Sequence, residues 1–322
     1  MSQVMFIEIS KKEIELTLQA HLDWLLPHHK IRDVYHYAVF PAGKLFRPSL
    51  VWSILFDLDQ DLYQKSILNK YSPHALLASA VELHHSYTLI HDDLPCMDND
   101  SERRGKPSTH KAFGEWQALL AGDGLLNLSY QLISKSNHPR TIELIRFFSW
   151  ALGPKGLIHG QVLDLSLEMG QSFTNTIRTH ELKTARLIQA SVLGSAVLAT
   201  KKETADKALS EKKLWKFSKL LGINFQLIDD LTELAEEVIS EHEISVNPWL
   251  SNPEMTHAST LKSLEVFQKL SQELKLESTH KIVSQYYQTM LLIITSKQEI
   301  IENHLQKKID LSPMILLMKN FC

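Results

Sequence analysis

The chain has 322 residues, 44% of them apolar, and a formal net charge of −3; it can fill a sizeable core and lacks the basic balance that nucleic acid demands. Only 11 glycines and 11 prolines argue against a turn-rich β architecture. Two cysteines, Cys96 and Cys322, are too few for a disulfide framework.

The opening stretch MSQVMFIEISKKEIEL has no apolar signal core, and Lys11 and Lys12 follow its short apolar run; a cytoplasmic protein is expected. In PAGKLFRPS, Lys44 and Arg47 share a break between helices, a candidate anion site, although a generic basic loop reads the same way. Residues 75–91 (ALLASAVELHHSYTLIH) carry apolar side chains at helical spacing and run into acids and Pro95. His84 and His85 lie on that helix. Helical periodicity recurs over 112–134, 156–169, 181–200 and 212–238, with breaks at SERRGKPST (101–109) and SNHPR (136–140). The longest uncharged stretch, 187–200, is shorter than the ~20 residues that span a bilayer, so no stable membrane insertion is expected. Residues 239–259, with Asn247, Pro248 and Pro253, read as an irregular segment beside a site. The last third reads as scaffold, including a charged helix near 297–308. No alternating strand pattern appears. One all-α domain over 1–322, a single large helical bundle, is the expected fold.

Two acidic motifs carry the candidate chemistry. In HDDLPCMDND, an uninterrupted helix would turn Asp98 well away from Asp92. Pro95 breaks that path, and a turn there would return Asp98 towards Asp92. Clustered carboxylates ionise together most readily around a cation, and hard oxygen ligands suit Mg²⁺, which commonly pairs one or two carboxylates with substrate phosphates. Arg103 and Arg104 follow closely and offer forked donors for phosphate oxygens. In FQLIDDLTE, Asp229 and Glu233 share one helical face, with Asp230 to the side and Gln226 beside them. A solvated acidic face would look alike. Lys183 and Thr184 open an apolar helix, where a lysine calls for an anionic partner.

In their order, GKLFRP, ELHHSYTLIHDDLPCMDNDSERRGKPSTH, LLAGDGLL, GLIHGQVLDL, ELKTARLI and FQLIDD resemble the trans-isoprenyl diphosphate synthases of the bacterial farnesyl diphosphate synthase (geranyltranstransferase) type. They span about 60% of the chain, roughly residues 40–235. The resemblance implies an all-α fold around a central cavity, a homodimer, Mg²⁺, and isopentenyl and allylic diphosphates as substrates. It implies that Asp92 and Asp98 bind Mg²⁺ with support from Asp93, and that Asp229, helped by Asp230 and Glu233, binds a further Mg²⁺. Arg103 would hold the allylic diphosphate; Lys44, Arg47, His85 and Arg104 would hold isopentenyl diphosphate. Lys183, Thr184 and Gln226 would line the allylic site. Tyr87, five residues before the first motif, would close the cavity and set farnesyl diphosphate as product.

The sequence departs from the resemblance at three points. The second motif ends in Glu233 rather than Asp, and Leu45 stands where a basic residue is usual. Between Lys219 and Lys262 there is no Lys or Arg but eight acids, although two lysines are usual there; His242 and His257 are candidate substitutes. These departures leave room for a non-catalytic or regulatory subunit. His91-Asp92 could also be the HD pair of a metal phosphohydrolase, which would require further His and Asp ligands nearby.

Overall fold

Helix follows helix through the chain, and many begin where the sequence supplies a cap. Ser10 and Glu13 form a reciprocal capping box at the start of Lys11–Leu25. Ser72 accepts from Ala75 N, and Pro73 sits at the first position of Pro73–Asp92, where its missing N–H costs nothing. A computed structural model describes residues 9–199, 205–305 and 309–321, without the side chains of 205–209, 241 and 242. Cys322, the side chain of His242 and the end of the 297–308 stretch lie outside the described residues.

The chain gathers into two compact units, Met1–Phe147 with Gly194–Lys201, and Phe148–Leu193 with Lys202–Cys322. In the first, Pro73–Asp92 packs between Glu115–Ser134 and Phe46–Leu58, and its Leu76, Leu77, Ala80, Val81 and Leu83 are fully buried or nearly so. A helix apolar around most of its circumference belongs in a core. In the second, Ala205–Glu233 packs on Pro253–Leu274 and Glu277–Ser296. Phe217 stacks on Phe267 with ring centroids 4.7 Å apart, and Phe225 on Tyr286 at 4.2 Å.

The all-α expectation holds, with local corrections. Glu102–Arg103 pairs antiparallel with Lys106–Pro107, a short hairpin in a stretch read as a plain break. Its turn places Arg104 at φ 56° and Gly105 at φ 73°, the left-handed pair that suits strand twist. The segment 239–259 is largely helical, as Glu241–Val246, Pro248–Ser251 and the start of Pro253–Leu274. Its Ser, Asn and Pro residues start helices: Ser240 accepts from Glu243 N, and Asn247 accepts from Trp249 N ahead of Pro248. Lys183 and Thr184 do not open a helix. Phe173–His180 runs through a π-helical turn at Glu181–Ala185 into Arg186–Ala199. No helix among the described residues is long and apolar enough to cross a membrane.

Candidate active site

The first acidic motif stands at the C-terminal end of Pro73–Asp92, where the helix dipole disfavours negative charge. The expected turn is present. Met97 N donates to Leu94 O at 2.9 Å around Pro95, and Asp98 N donates to Asp92 O at 2.9 Å, which brings the two aspartates back together. Asp93 is buried beneath them. Arg103 donates from Nε (2.9 Å) and Nη2 to Asp93 Oδ1, and from Nη2 to Asp100 Oδ2 at 2.7 Å. Burial raises the Asp93 carboxyl, and Arg103 opposes that rise. The hairpin therefore locks Arg103 onto the motif, leaving Asp92 and Asp98 as its outer carboxylates.

A cationic cluster forms nearby in the same unit. Arg104 Nη1 donates to Pro41 O at 3.3 Å. A Cβ on Gly43 would lie 2.9 Å from Arg104 Nη2, so this glycine lets the guanidinium rest on the loop that carries Lys44. Leu45 holds a left-handed φ of 53° before Phe46–Leu58, a strained backbone of the kind that collects at functional sites. Burial, then Arg47, Arg104 and Arg103, hold the half-buried His85 imidazole well below its usual range. Buried Glu82, one turn before His85, is raised by burial and opposed by Arg47 and Arg104. Arg47, Arg104 and His85 thus share one neighbourhood, with Glu82 as an unforeseen acidic member. Only its i, i+3 spacing from His85 marked it in the sequence.

Tyr87 is buried, its ring 4.5 Å edge-on from His84 and 5.7 Å from His91. Burial, then Tyr130 and Asp92, raise its hydroxyl, so it stays neutral beside the motif. His84 Nδ1 lies 3.1 Å from Ser129 Oγ, and burial takes its imidazole down to about 3: a neutral core histidine. His91 Nε2 is on Leu119 O at 3.0 Å, over Gly122, where a Cβ would come within 2.1 Å. His91 Nε2 also lies 3.7 Å from Asp123 Oδ1, yet among the described residues no three His, Cys, Asp or Glu form a group that could hold a metal, so an HD metal site gains no support.

The second motif also ends a helix, Ala205–Glu233. Thr184 Oγ1 donates to Gln226 Oε1 at 2.9 Å, and Gln226 Nε2 donates to Asp230 Oδ1 at 2.7 Å, so three expected site residues form one line. Lys183 Nζ is bonded to Asp164 Oδ2, an acid in the apolar GLIHGQVLDL stretch whose polarity there was its only sequence signal. The helix bearing Asp164 approaches closely at Gly160, where a Cβ would stand 2.4 Å from Lys183 N. Asp230 Oδ2 makes no hydrogen bond and lies 3.3 Å from His180 Nε2; burial lowers that imidazole to about 3. Burial raises Asp230 well above the usual carboxyl range. Glu233 is raised to about 10 by burial, a hydrogen bond with Glu243, and nearby Asp230 and Asp229. His257 lies beside Trp249, ring centroids 6.4 Å apart.

Among the described residues no three His, Cys, Asp or Glu side chains form a group that could hold a metal by themselves. Mg²⁺ is bound by one or two carboxylates with phosphate and water. Asp92 with Asp98 could provide such a pair, and Asp229 with the buried Asp230 Oδ2, which makes no hydrogen bond, could provide another.

The helical architecture and the relatives of this sequence are those of prenyltransferases of isoprenoid biosynthesis. Residues 28–242 match the polyprenyl synthetase family, and the chain belongs to that family. A farnesyl diphosphate synthase of Geobacillus stearothermophilus is 33% identical over 286 residues, 85% of this chain and 90% of that protein. The chloroplastic geranylgeranyl pyrophosphate synthase 7 of Arabidopsis thaliana is 35% identical over 64% of this chain and 58% of its own length. Among solved structures, a geranyltransferase from Legionella pneumophila is similar with TM-score 0.69 and 29% identity, covering 91% of this chain and 94% of that one. A Helicobacter pylori geranyltransferase complexed with magnesium and isoprenyl diphosphate is similar with TM-score 0.68 and 26% identity, over 88% of this chain and all of that one.

Proposed function

We propose that the chain condenses an allylic diphosphate, dimethylallyl or geranyl, with isopentenyl diphosphate and releases farnesyl diphosphate. The observation that carries the reading is the return of Asp98 to Asp92 across the Pro95 turn, with Arg103 held on Asp93 beside them. The allylic C–O bond breaks as diphosphate leaves, isopentenyl diphosphate forms a C–C bond at the freed carbon, and a proton is lost. Asp92 and Asp98, and separately Asp229 with Asp230 and Glu233, would hold Mg²⁺, which supplies Lewis-acid stabilisation of the leaving diphosphate. Arg103, held on Asp93, would hold the allylic diphosphate; Lys183, held on Asp164, is a second candidate phosphate-binding cation. Arg47, Arg104, His85 and Lys44 would hold isopentenyl diphosphate; Arg104 lies beside the loop that carries Lys44. Thr184 and Gln226 already bond one another, so their oxygens would present fixed dipoles to the allylic cation. Apolar walls would keep water from quenching it.

Geranylgeranyl synthases are also relatives, so product length rests on Tyr87, whose buried, neutral ring would stop the growing chain. A homodimer is part of the reading: Trp116, Leu119 and Leu120 on Glu115–Ser134 are exposed apolar side chains at helical spacing, a stripe suited to a second copy. The family match runs through both compact units, which supports a single domain. Chain-length analysis of products from geranyl and isopentenyl diphosphates with Mg²⁺ tests the reading. A fifteen-carbon diphosphate is expected; phosphate release without C–C bond formation, or no turnover, would refute it.

A further inference from the structure

The helix end that carries the second motif is held from outside by two buried side chains. Asn247 Nδ2 donates to Asp230 O at 2.8 Å, and Trp249 Nε1 donates to Leu227 O at 2.7 Å. Asn247 and Trp249 are 1% and 0% exposed. Asp230 O lies in the last turn of Ala205–Glu233, and Asn247 reaches it from another element.

The holder is itself fixed. Asn247 Oδ1 accepts from Trp249 N at 3.0 Å, and Asn247 N donates to Glu243 O at 2.8 Å. Thr256 Oγ1 donates to Pro248 O at 2.9 Å, tying the pair to Pro253–Leu274. On the other side, Gln226, itself held by Thr184, donates to the Asp230 side chain. Asp230 is therefore gripped at both its side chain and its backbone. Residues 220–261 hold no Lys or Arg, so this segment serves the motif by geometry rather than by positive charge.

We propose that Asn247 and Trp249 are positioning residues for the second acidic motif. Through the carbonyls of Asp230 and Leu227 they orient the helical turn bearing Asp229, Asp230 and Glu233 for a divalent cation and its diphosphate. The inference rests on the reading of that motif as a cation–diphosphate site. Partners one shell out from a metal ligand fix its orientation, and their loss costs about 10–100-fold in metal affinity or activity.

The test uses the full-length protein, Mn²⁺ and inorganic diphosphate, with free Mn²⁺ read by electron paramagnetic resonance and a metal-free melting curve beside it. Asn247→Ala should weaken Mn²⁺ binding about tenfold or more, and Trp249→Phe, which keeps a ring but removes the donor, should weaken it less. Ser10→Ala removes the cap of Lys11–Leu25, in the other compact unit, and should leave binding unchanged. A lower melting temperature with unchanged Mn²⁺ binding would overturn the proposal and make the clamp purely structural. If Asn247→Ala does not fold, unchanged binding in folded Trp249→Phe overturns it equally. Asp229→Ala separates the two readings. If that variant binds Mn²⁺ like the wild type, the motif itself is not a cation site; if it weakens while Asn247→Ala does not, the positioning role alone fails.

Discussion

Asp92 and Asp93 end the helix Pro73–Asp92, and Asp229, Asp230 and Glu233 end the helix Ala205–Glu233, so both acidic motifs sit where the helix dipole opposes them. At the first, the chain supplies its own cations. The hairpin that follows sets Arg103 on Asp93, and Arg104 and Arg47 stand near His85 and Glu82. At the second, no Lys or Arg is supplied from residues 220–261, and burial with mutual repulsion raises the carboxyls of Asp230 and Glu233. One motif is balanced by arginine, and the other carries at Glu233 a proton that a cation can displace. Similar sequence signatures can therefore describe sites in different states of charge.

The largest effect is expected at the balanced motif. Asp92→Ala removes one of its two outer carboxylates, and kcat in the product assay should fall by about 10²–10³-fold, as for comparable stabilising groups. Arg103→Ala strips a buried carboxylate of its partner. Thermal unfolding should show a loss on the order of 2 kcal/mol, less than for a fully buried pair because the arginine is partly exposed. An unchanged melting temperature would mean that Asp93 needs no partner, and the contrast between the motifs would collapse. Tyr87→Ala should lengthen the product beyond fifteen carbons by chromatography, since about 5.4 Å separates successive helical turns; an unchanged product would place the floor elsewhere.

The pH dependence of stability sharpens the comparison most. Glu233 titrates at about 10 in the folded chain against an ordinary 4.5. Between those values the native state holds a proton that the unfolded state lacks, so this group's contribution weakens as pH rises. The metal-free melting temperature should fall between pH 5 and pH 9 more steeply in the wild type than in Glu233→Gln. Parallel curves would show that Glu233 is ionised without a cation.

The helical fold was legible because apolar spacing and scarce glycine leave few alternatives, and Pro95 announced the turn that returns Asp98 to Asp92. Residues 239–259 were misread because Ser240, Asn247 and Pro248 are loop residues and helix starters alike, and only their bonds to Glu243 N and Trp249 N decide between the two. Residues 181–185 were misplaced because no break in pattern marks a π-helical turn inside a continuous helix. The partners of site residues were the least visible. Asp164 on Lys183, Glu82 near Arg47, and Asn247 on Asp230 are joined across 19, 35 and 17 positions of sequence, and spacing along the chain carries no record of such pairs. Charge balance gave the one warning, since a stretch of eight acids without Lys or Arg must be satisfied by something else.

Proton release on cation binding tests the difference between the motifs most directly. Calorimetric titration of Mg²⁺ with inorganic diphosphate, near pH 8 in buffers of different ionisation enthalpy, counts the protons displaced. Corrected for diphosphate alone, the wild type should release about one proton more than Glu233→Gln. Equal release from the two proteins would contradict the account, because the second motif would then be ionised before any cation arrived.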